Sequence, residues 1–311
     1  MKNYAIQFLW LAILLSTINC GSKDVTDIYN KGMQLQGQGK HTEAIDAFQK
    51  VLKTDPDKIY AYYNIGSSYF KLGLLNEVIA TYNEVLKIDP EDTYTYFNIG
   101  IAYYNMGKYD LAIENFEQVL HFDPDDHVAY FNLGITHRNL GNYEKEVDYY
   151  DAALQLNPAY AIAYTNRGTA YSNLGQHVEA IKDFDQAIQL APGEANNYFN
   201  KGVAHSKLEQ YEQEIQNYNS ALRLDPYYAN AYHNRSIAYG KLDQTLLSDQ
   251  DRNRACKLNT DLCWSNAFLG ASVLTIVSEN PQNKRSPGAE PQGKLVCLHN
   301  VRAKNLQMKN V

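Results

Sequence analysis

Apolar residues recur at helical spacing along most of the chain. Spacings of three and four place such residues on one face of a helix. One segment follows the pattern i, i+3, i+4, i+7 with Tyr96, Ile99, Gly100 and Tyr103. The next segment has the same spacing at Ala112, Phe116 and Val119. The pattern predicts pairs of short amphipathic helices, each with one face to bury.

This pattern repeats every 34 residues. When position 1 is set at Val25, seven units follow without insertion: 25–58, 59–92, 93–126, 127–160, 161–194, 195–228 and 229–262. Six of the nine prolines fall at position 32: Pro56, Pro90, Pro124, Pro158, Pro192 and Pro226. Glycine recurs at position 15: Gly39, Gly73, Gly107, Gly141 and Gly175. Because proline and glycine end helices, each unit is predicted to be a helix hairpin, and stacked hairpins share a core.

The repeated residues resemble the tetratricopeptide repeat family over 25–262. The third unit matches its pattern with Tyr96, Ile99, Gly100, Tyr103, Ala112, Phe116 and Pro124. The resemblance implies an all-α fold, a right-handed superhelical solenoid of about seven hairpins whose first helices line the concave side. The seventh unit departs from the pattern at Ser236, Ser248, Arg252 and Thr260. A capping helix is predicted over 263–277, followed by a disordered tail over 278–311.

The N-terminal residues predict export. Lys2 precedes an apolar run, Ala5 to Leu15, that is too short to span a bilayer. The run ends near Cys20, which resembles the lipidation site of a bacterial lipoprotein. Residues 1–19 are therefore predicted to be a signal peptide and 20–24 a short tether, anchored in the bacterial cell envelope. An uncleaved anchor and ordinary cleavage are the alternatives.

The charge of −7 gives no basic footprint for nucleic acid. The sequence has no phosphate loop, zinc-spaced His/Cys set or nucleophile elbow. No cofactor, metal site or catalytic residue is predicted, and an enzyme would need chemistry in the C-terminal tail.

Asparagine occupies position 6 of all seven units. Position 6 lies about 200° around the helix from the core-facing position 4, so these amides are expected to form a ladder along the concave groove. The ladder is Asn30, Asn64, Asn98, Asn132, Asn166, Asn200 and Asn234. An amide donates and accepts at once and could clamp a peptide backbone. Family consensus that bonds neighbouring helices is the alternative.

Other groove positions favour a neutral, extended protein segment as the ligand. Position 13 contributes Asn105, Asn139 and Asn173, and position 5 contributes Tyr63, Phe97, Phe131 and Phe199. The basic clamp with which related co-chaperone repeats hold a terminal carboxylate is absent. The sequence therefore predicts a non-enzymatic scaffold that binds protein segments. A structural spacer or self-assembling envelope component without a peptide ligand is the alternative.

Two further pairings are predicted. Units 4 and 6 alone have His at position 11 and Glu at position 20, which suggests the polar pairs His137–Glu146 and His205–Glu214. Unrelated drift is the alternative. Cys256 and Cys263 resemble the cysteine spacing of Sel1-like repeats, which implies a disulfide; two unpaired thiols are the alternative.

Overall fold

The computed structural model of the chain describes residues 24–263. The predicted signal peptide, Cys20 and its lipid, the C-terminal tail and all but the first residue of the predicted capping helix lie outside the described residues. Over 24–263 every regular element is helical, which confirms the predicted all-α class.

Fourteen α-helices follow one another in pairs over the described range. They are α1 (24–37), α2 (His41–Thr54), α3 (Ile59–Lys71), α4 (Leu75–Ile88), α5 (Thr93–Asn105), α6 (Tyr109–Phe122), α7 (His127–Asn139), α8 (Tyr143–Leu156), α9 (Ala161–Asn173), α10 (His177–Leu190), α11 (Ala195–Lys207), α12 (Tyr211–Leu224), α13 (Ala229–Lys241) and α14 (Thr245–Leu258). A 3₁₀ turn, Thr260–Cys263, follows α14. The two helices of each predicted repeat pack together as hairpins 1 to 7.

In six of the seven hairpins position 8 is a glycine, and it lies against the aromatic ring at position 24 of the second helix. In hairpin 4, a Cβ added to Gly134 would lie 2.5 Å from a ring carbon of Tyr150, at position 24. In hairpin 3 the corresponding distance, from Gly100 to Phe116, is 2.7 Å. These rings are fully buried. Glycine is therefore required because an aromatic ring occupies the space of its side chain.

Hairpin 7 changes both partners of this contact. Ser236 replaces the glycine and Arg252 replaces the aromatic residue. Ser236 is buried, and its hydroxyl donates to the carbonyl of His233 at 2.6 Å. Without an opposing ring, the position tolerates a side chain. The departures that the sequence showed in this unit are thus coupled.

Position 15 holds the turn between the two helices in a left-handed conformation. Five hairpins place glycine there, with φ between 72° and 76°. Hairpins 6 and 7 keep the same turn with Glu209 at φ 56° and Asp243 at φ 59°. Left-handed backbone disfavours residues other than glycine, so these two turns are held by the hairpin around them.

The helices group into two units, divided between Pro124 and Asp125. The first contains α1–α6, with buried residues such as Phe48, Tyr82 and Phe116. The second contains α7–α14, with Tyr150, Phe184 and Tyr218 buried. These six rings all occupy position 24, where Phe and Tyr alternate from hairpin 1 to hairpin 6.

The described part ends in a disulfide between Cys256, in α14, and Cys263, in the 3₁₀ turn. Their Cα atoms are 4.6 Å apart. The bond joins the two cysteines that the sequence singled out.

Candidate interaction surface

Among helices α1–α6 the position 6 asparagines differ in exposure. Asn30 is exposed. Asn64 donates to the hydroxyl of Tyr29 at 2.9 Å and to the carbonyl of Tyr60 at 2.8 Å. Asn98 is 3% exposed and donates to the carbonyl of Tyr94 at 2.7 Å. The amide hydrogens of Asn64 and Asn98 thus bond within and between neighbouring first helices.

Among helices α7–α14 these asparagines are also partly or fully covered. Asn132 is fully buried and donates to the carbonyl of Val128 at 2.8 Å. Asn166 is 3% exposed and accepts from Arg138 at 2.8 Å. Asn200 and Asn234 are half-buried, and Asn234 donates to the hydroxyl of Tyr218 at 3.4 Å.

The expectation that the whole ladder is open to a ligand was therefore wrong for Asn98, Asn132 and Asn166. Their position points away from the seam of their own hairpin, but the adjacent helices cover it. The helical period fixed the direction of these side chains but carried no information on how closely the next repeat packs.

The position 5 aromatics also lie at helix contacts. Phe97 and Phe131 are buried, and Phe199 is half-buried. The ring of Phe131 lies 5.0 Å from that of Tyr160, and Phe199 lies 4.7 Å from Tyr228. Both tyrosines occupy position 34, just before the next repeat. The prediction of an open groove lining was wrong for Phe97 and Phe131, because each packs in a helix contact.

Tyr63 makes a polar form of the same contact. Its hydroxyl donates to the carboxylate of Asp92, also at position 34, at 2.8 Å. Burial, followed by the charge of Asp92, raises the pKa of Tyr63 far above its usual value. This tyrosine therefore remains a neutral donor.

The position 13 asparagines are exposed. Asn105 in α5 donates to the carbonyl of Ile101 at 2.7 Å, and Asn139 in α7 donates to the carbonyl of Ile135 at 2.9 Å. Asn173, in α9, is also exposed. Position 13 of the next two repeats is lysine, and both side chains, Lys207 and Lys241, are exposed. The three asparagines put amides at the surface near the ends of α5, α7 and α9.

A polar cluster joins α7, α8 and α9. The Arg138 Nε donates to the Glu146 carboxylate at 2.6 Å, and its Nη2 donates to the Tyr150 hydroxyl at 2.9 Å and to Asn166 at 2.8 Å. Glu146 is fully buried. Burial raises the pKa of Glu146, and Arg138 opposes that shift. One guanidinium thus links two consecutive hairpins.

The predicted His137–Glu146 contact was wrong, because Arg138 supplies the cation. His137 stacks on Tyr149 with ring centroids 5.2 Å apart. Its pKa is lowered, first by burial and then by the charge of Lys145, whereas a carboxylate partner would have raised it. The cation comes from position 12, one residue after His137.

The equivalent cluster in hairpin 6 has no arginine. Glu214 is 2% exposed, and burial raises its pKa to about 7. The hydroxyls of Ser206 and Tyr218 oppose this shift. The predicted partner, His205, instead contacts Gln210, with Nδ1 and Oε1 2.7 Å apart. The His205–Glu214 pairing was therefore also wrong.

A second set of ion pairs involves position 7, which is usually apolar. Arg167 makes two bonds to Asp183 in its own hairpin, at 2.6 and 2.7 Å, and one to Asp151 in the preceding hairpin at 2.5 Å. Arg235 likewise bonds Asp251 twice and Asn219 of the preceding hairpin. Lys201 bonds Asp185 at 2.6 Å.

Tyrosines flank both arginines of this set. Arg167 lies over the rings of Tyr164 and Tyr171, at 5.4 and 5.8 Å from their centroids. Arg235 lies over Tyr232 and Tyr239 in the same way. The signal in the sequence was the basic residue at an apolar position in three consecutive units.

Within 24–263, no group of three or more His, Cys, Asp or Glu side chains is placed to hold a metal ion. Over the same range, no helix is both long and apolar enough to cross a membrane.

Helix hairpins of fixed length, stacked in sequence, define the class of helical-repeat proteins. Four family models match consecutive parts of the chain between residues 37 and 228. Three described as tetratricopeptide repeat match 97–161, 161–194 and 195–228, and one described as TPR repeat matches 37–73 and 66–107. The chain belongs to the tetratricopeptide repeat family. The comparison with curated protein sequences gives no match.

Solved structures show the same fold. A MamA protein is 26% identical, with a TM-score of 0.50 over 55% of this chain and 94% of that one. YrrB, described as a TPR protein with an unusual peptide-binding site, is 23% identical, with a TM-score of 0.53 over 61% and 98%. The C-terminal part of a TPR repeat-containing protein from Cytophaga hutchinsonii is 15% identical, with a TM-score of 0.65 over 75% and 95%. The chain thus has the fold of a tetratricopeptide repeat protein.

Proposed function

We propose that the chain is a non-enzymatic scaffold whose first helices bind extended protein segments. The observation that carries the proposal is the exposed amide surface at the ends of α7 and α9, formed by Asn139 and Asn173. Both side chains are exposed, and an amide can donate to a peptide carbonyl and accept from a peptide N–H. The description of YrrB as having a peptide-binding site supports the same class of ligand.

The half-buried members of the original ladder, Asn200 and Asn234, belong to the proposed surface as its inner edge. Asn200 has a buried amide nitrogen without a hydrogen-bond partner. An unpaired buried donor is costly, so a ligand carbonyl that reached it would recover that cost. Asn132 and Asn166 are excluded from direct contact because the packed helices cover them.

The test is partner capture by crosslinking from membranes with the double variant Asn139→Ala/Asn173→Ala. Both side chains are exposed, so folding should be kept while capture falls by about tenfold. The matched control is Gln155→Ala/Gln189→Ala, which changes two exposed amides at equivalent positions of the second helices α8 and α10. Equal capture by the two variants would reject a role for this surface.

A structural spacer is the second candidate, and the ion pairs favour it. Arg138, Arg167 and Arg235 each bond a residue in an adjacent hairpin as well as one in their own. Such cross-links would stiffen a spacer. A spacer predicts that neither double variant alters the pattern of crosslinked proteins.

We also propose that the protein is exported and anchored by a lipid on Cys20, which lies outside the described residues. The support is the apolar run that ends near this cysteine. Labelled fatty acid should enter the wild type but not the Cys20→Ala variant. Equal labelling of both would contradict the anchor while leaving the binding proposal intact.

A further inference from the structure

Hairpins 4 and 6 contain two versions of one polar cluster. Each has Glu at position 20, Tyr at position 24 and, in the following hairpin, Asn at position 6. In the first version these residues are Glu146, Tyr150 and Asn166; in the second they are Glu214, Tyr218 and Asn234. The two versions differ at position 12, where α7 has Arg138 and α11 has Ser206.

The first version shows which ligand this set of acceptors fits. The Arg138 guanidinium is bonded by a carboxylate, a phenolic hydroxyl and an amide oxygen, all between 2.6 and 2.9 Å. The guanidinium also lies over the ring of Tyr150, with the Arg138 Cζ 6.0 Å from the ring centroid. A planar cation with donors in several directions is needed to reach three acceptors at once. The Arg138 side chain is 18% exposed, so the cluster is reached from the surface.

The second version keeps the acceptors without a cation of its own. The groups that set the ionisation of Glu214 in the described part of the chain are Ser206 on α11 and Tyr218 on α12, both hydroxyls. Tyr228, which precedes α13, acts on Tyr218. One carboxylate oxygen of Glu214 is buried without a hydrogen-bond partner. A buried carboxylate without a cation is costly, so this cluster has a reason to accept one.

We propose that Glu214, Tyr218 and Asn234 form a receptor for an arginine side chain of a partner protein segment. The guest guanidinium takes the place that Arg138 takes in hairpin 4, donating to the Glu214 carboxylate, the Tyr218 hydroxyl and the Asn234 amide oxygen. Asn234 now directs its nitrogen at Tyr218, and half a turn of the amide presents the oxygen, as Asn166 does. Ser206 is the feature that admits the guest, since an arginine at this position would fill the site from within.

This inference rests on the proposed function, in that it specifies which side chain of a bound segment is recognised. Lysine fits less well, because its single ammonium cannot span the three acceptors with a planar fork. Since a guanidinium favours the ionised carboxylate, binding should lower the pKa of Glu214 from about 7. The paired Glu146 should not respond, because Arg138 already occupies its cluster.

The experiment follows the side-chain carboxyl signals of Glu214 and Glu146 by carbon-13 NMR on the full-length chain. The probe is N-acetyl-arginine methylamide, compared with the lysine analogue. The arginine probe should cause a saturable shift at Glu214 and lower its pKa by about one unit, while Glu146 stays unchanged. The lysine probe should bind about threefold more weakly or worse.

Ser206→Arg is the decisive variant. It should reproduce the hairpin 4 cluster, lower the pKa of Glu214 without any probe and abolish the response. Asn234→Ala provides a second test, because it removes one acceptor without filling the site and should weaken the response several-fold. A wild-type Glu214 that shows no saturable shift, or the same shift as Glu146, would overturn the proposal. Because this probe needs no protein partner, loss of capture by the Asn139/Asn173 variant remains a separate result.

Discussion

At the scale of single residues, Glu146 and Glu214 occupy the same position of two hairpins but have different neighbours. Glu146 is paired with Arg138, whereas the two groups that oppose the raised pKa of Glu214 are the hydroxyls of Ser206 and Tyr218. The folded pKa of Glu214, about 7, is above that of an exposed glutamate, so the folded state holds a proton that the unfolded chain releases. The free energy of unfolding should therefore fall as pH rises from about 4.5 to about 7.

The two carboxylates should respond in opposite ways to substitution by glutamine. Above neutral pH, Glu214→Gln removes the cost of a buried charge and should stabilise the fold by about 2 kcal/mol. Glu146→Gln leaves Arg138 without its carboxylate and should destabilise by about 2 kcal/mol. Urea unfolding at acid and alkaline pH measures both, and the stabilising effect of Glu214→Gln should vanish below pH about 4.5. Effects of equal sign at alkaline pH would contradict the assignment of partners.

Also at this scale, the close approach at position 8 makes a strong prediction. Gly134→Ala should destabilise the fold by about 3 kcal/mol, because the new methyl group would lie 2.5 Å from the Tyr150 ring. Ser236→Ala at the same position of hairpin 7 should cost about 1 kcal/mol, the value of its bond to His233. Denaturant midpoints of the two variants give the comparison.

At the scale of helices, the sequence predicted the elements well and the contacts between repeats poorly. The 34-residue period, the prolines and the position 15 glycines indicated where helices begin and end. They carried no information on which side chains the next hairpin would cover, so Asn132 and Phe131 were expected at the surface although both are buried. Arg138 was missed because the residue at position 12 varies between the repeats, and one of its partners, Asn166, lies in the next hairpin.

The Arg167 cluster tests how ion pairs hold consecutive helices. Arg167→Ile should cost about 3 kcal/mol, because it leaves the buried Asp183 without a cation. Adding Asp183→Ala should recover much of that loss, since hairpin 3 packs with the apolar Ile99 at the same position. A double-mutant cycle by urea unfolding measures the coupling. Additive effects would mean that the pair contributes nothing beyond its separate parts.

At the scale of the whole described chain, stability should be local, because within α1–α6 and within α7–α14 each hairpin contacts chiefly its neighbours. The Cys256–Cys263 disulfide closes a short loop at the end of α14. Cys263→Ser should therefore lower hydrogen-exchange protection in α14 by about 2 kcal/mol while leaving α7–α10 unchanged. Cys297→Ser, at a cysteine outside the described residues, is the matched control. Loss of hydrogen-exchange protection throughout α7–α14 would contradict local stability.

The alternation of Phe and Tyr at position 24 also determines how this chain could be shortened or lengthened. Excising hairpins 5 and 6 together would place Tyr150 of hairpin 4 beside Asn234 of hairpin 7, and Asp151 beside Arg235. These contacts would be of the same kinds as the existing Tyr218–Asn234 and Asp151–Arg167 pairs. Excising hairpin 6 alone would set the Phe184 ring, which has no hydroxyl, against Asn234. The pair of hairpins, twice the length of the family repeat, is thus the natural module for duplication and for engineered arrays.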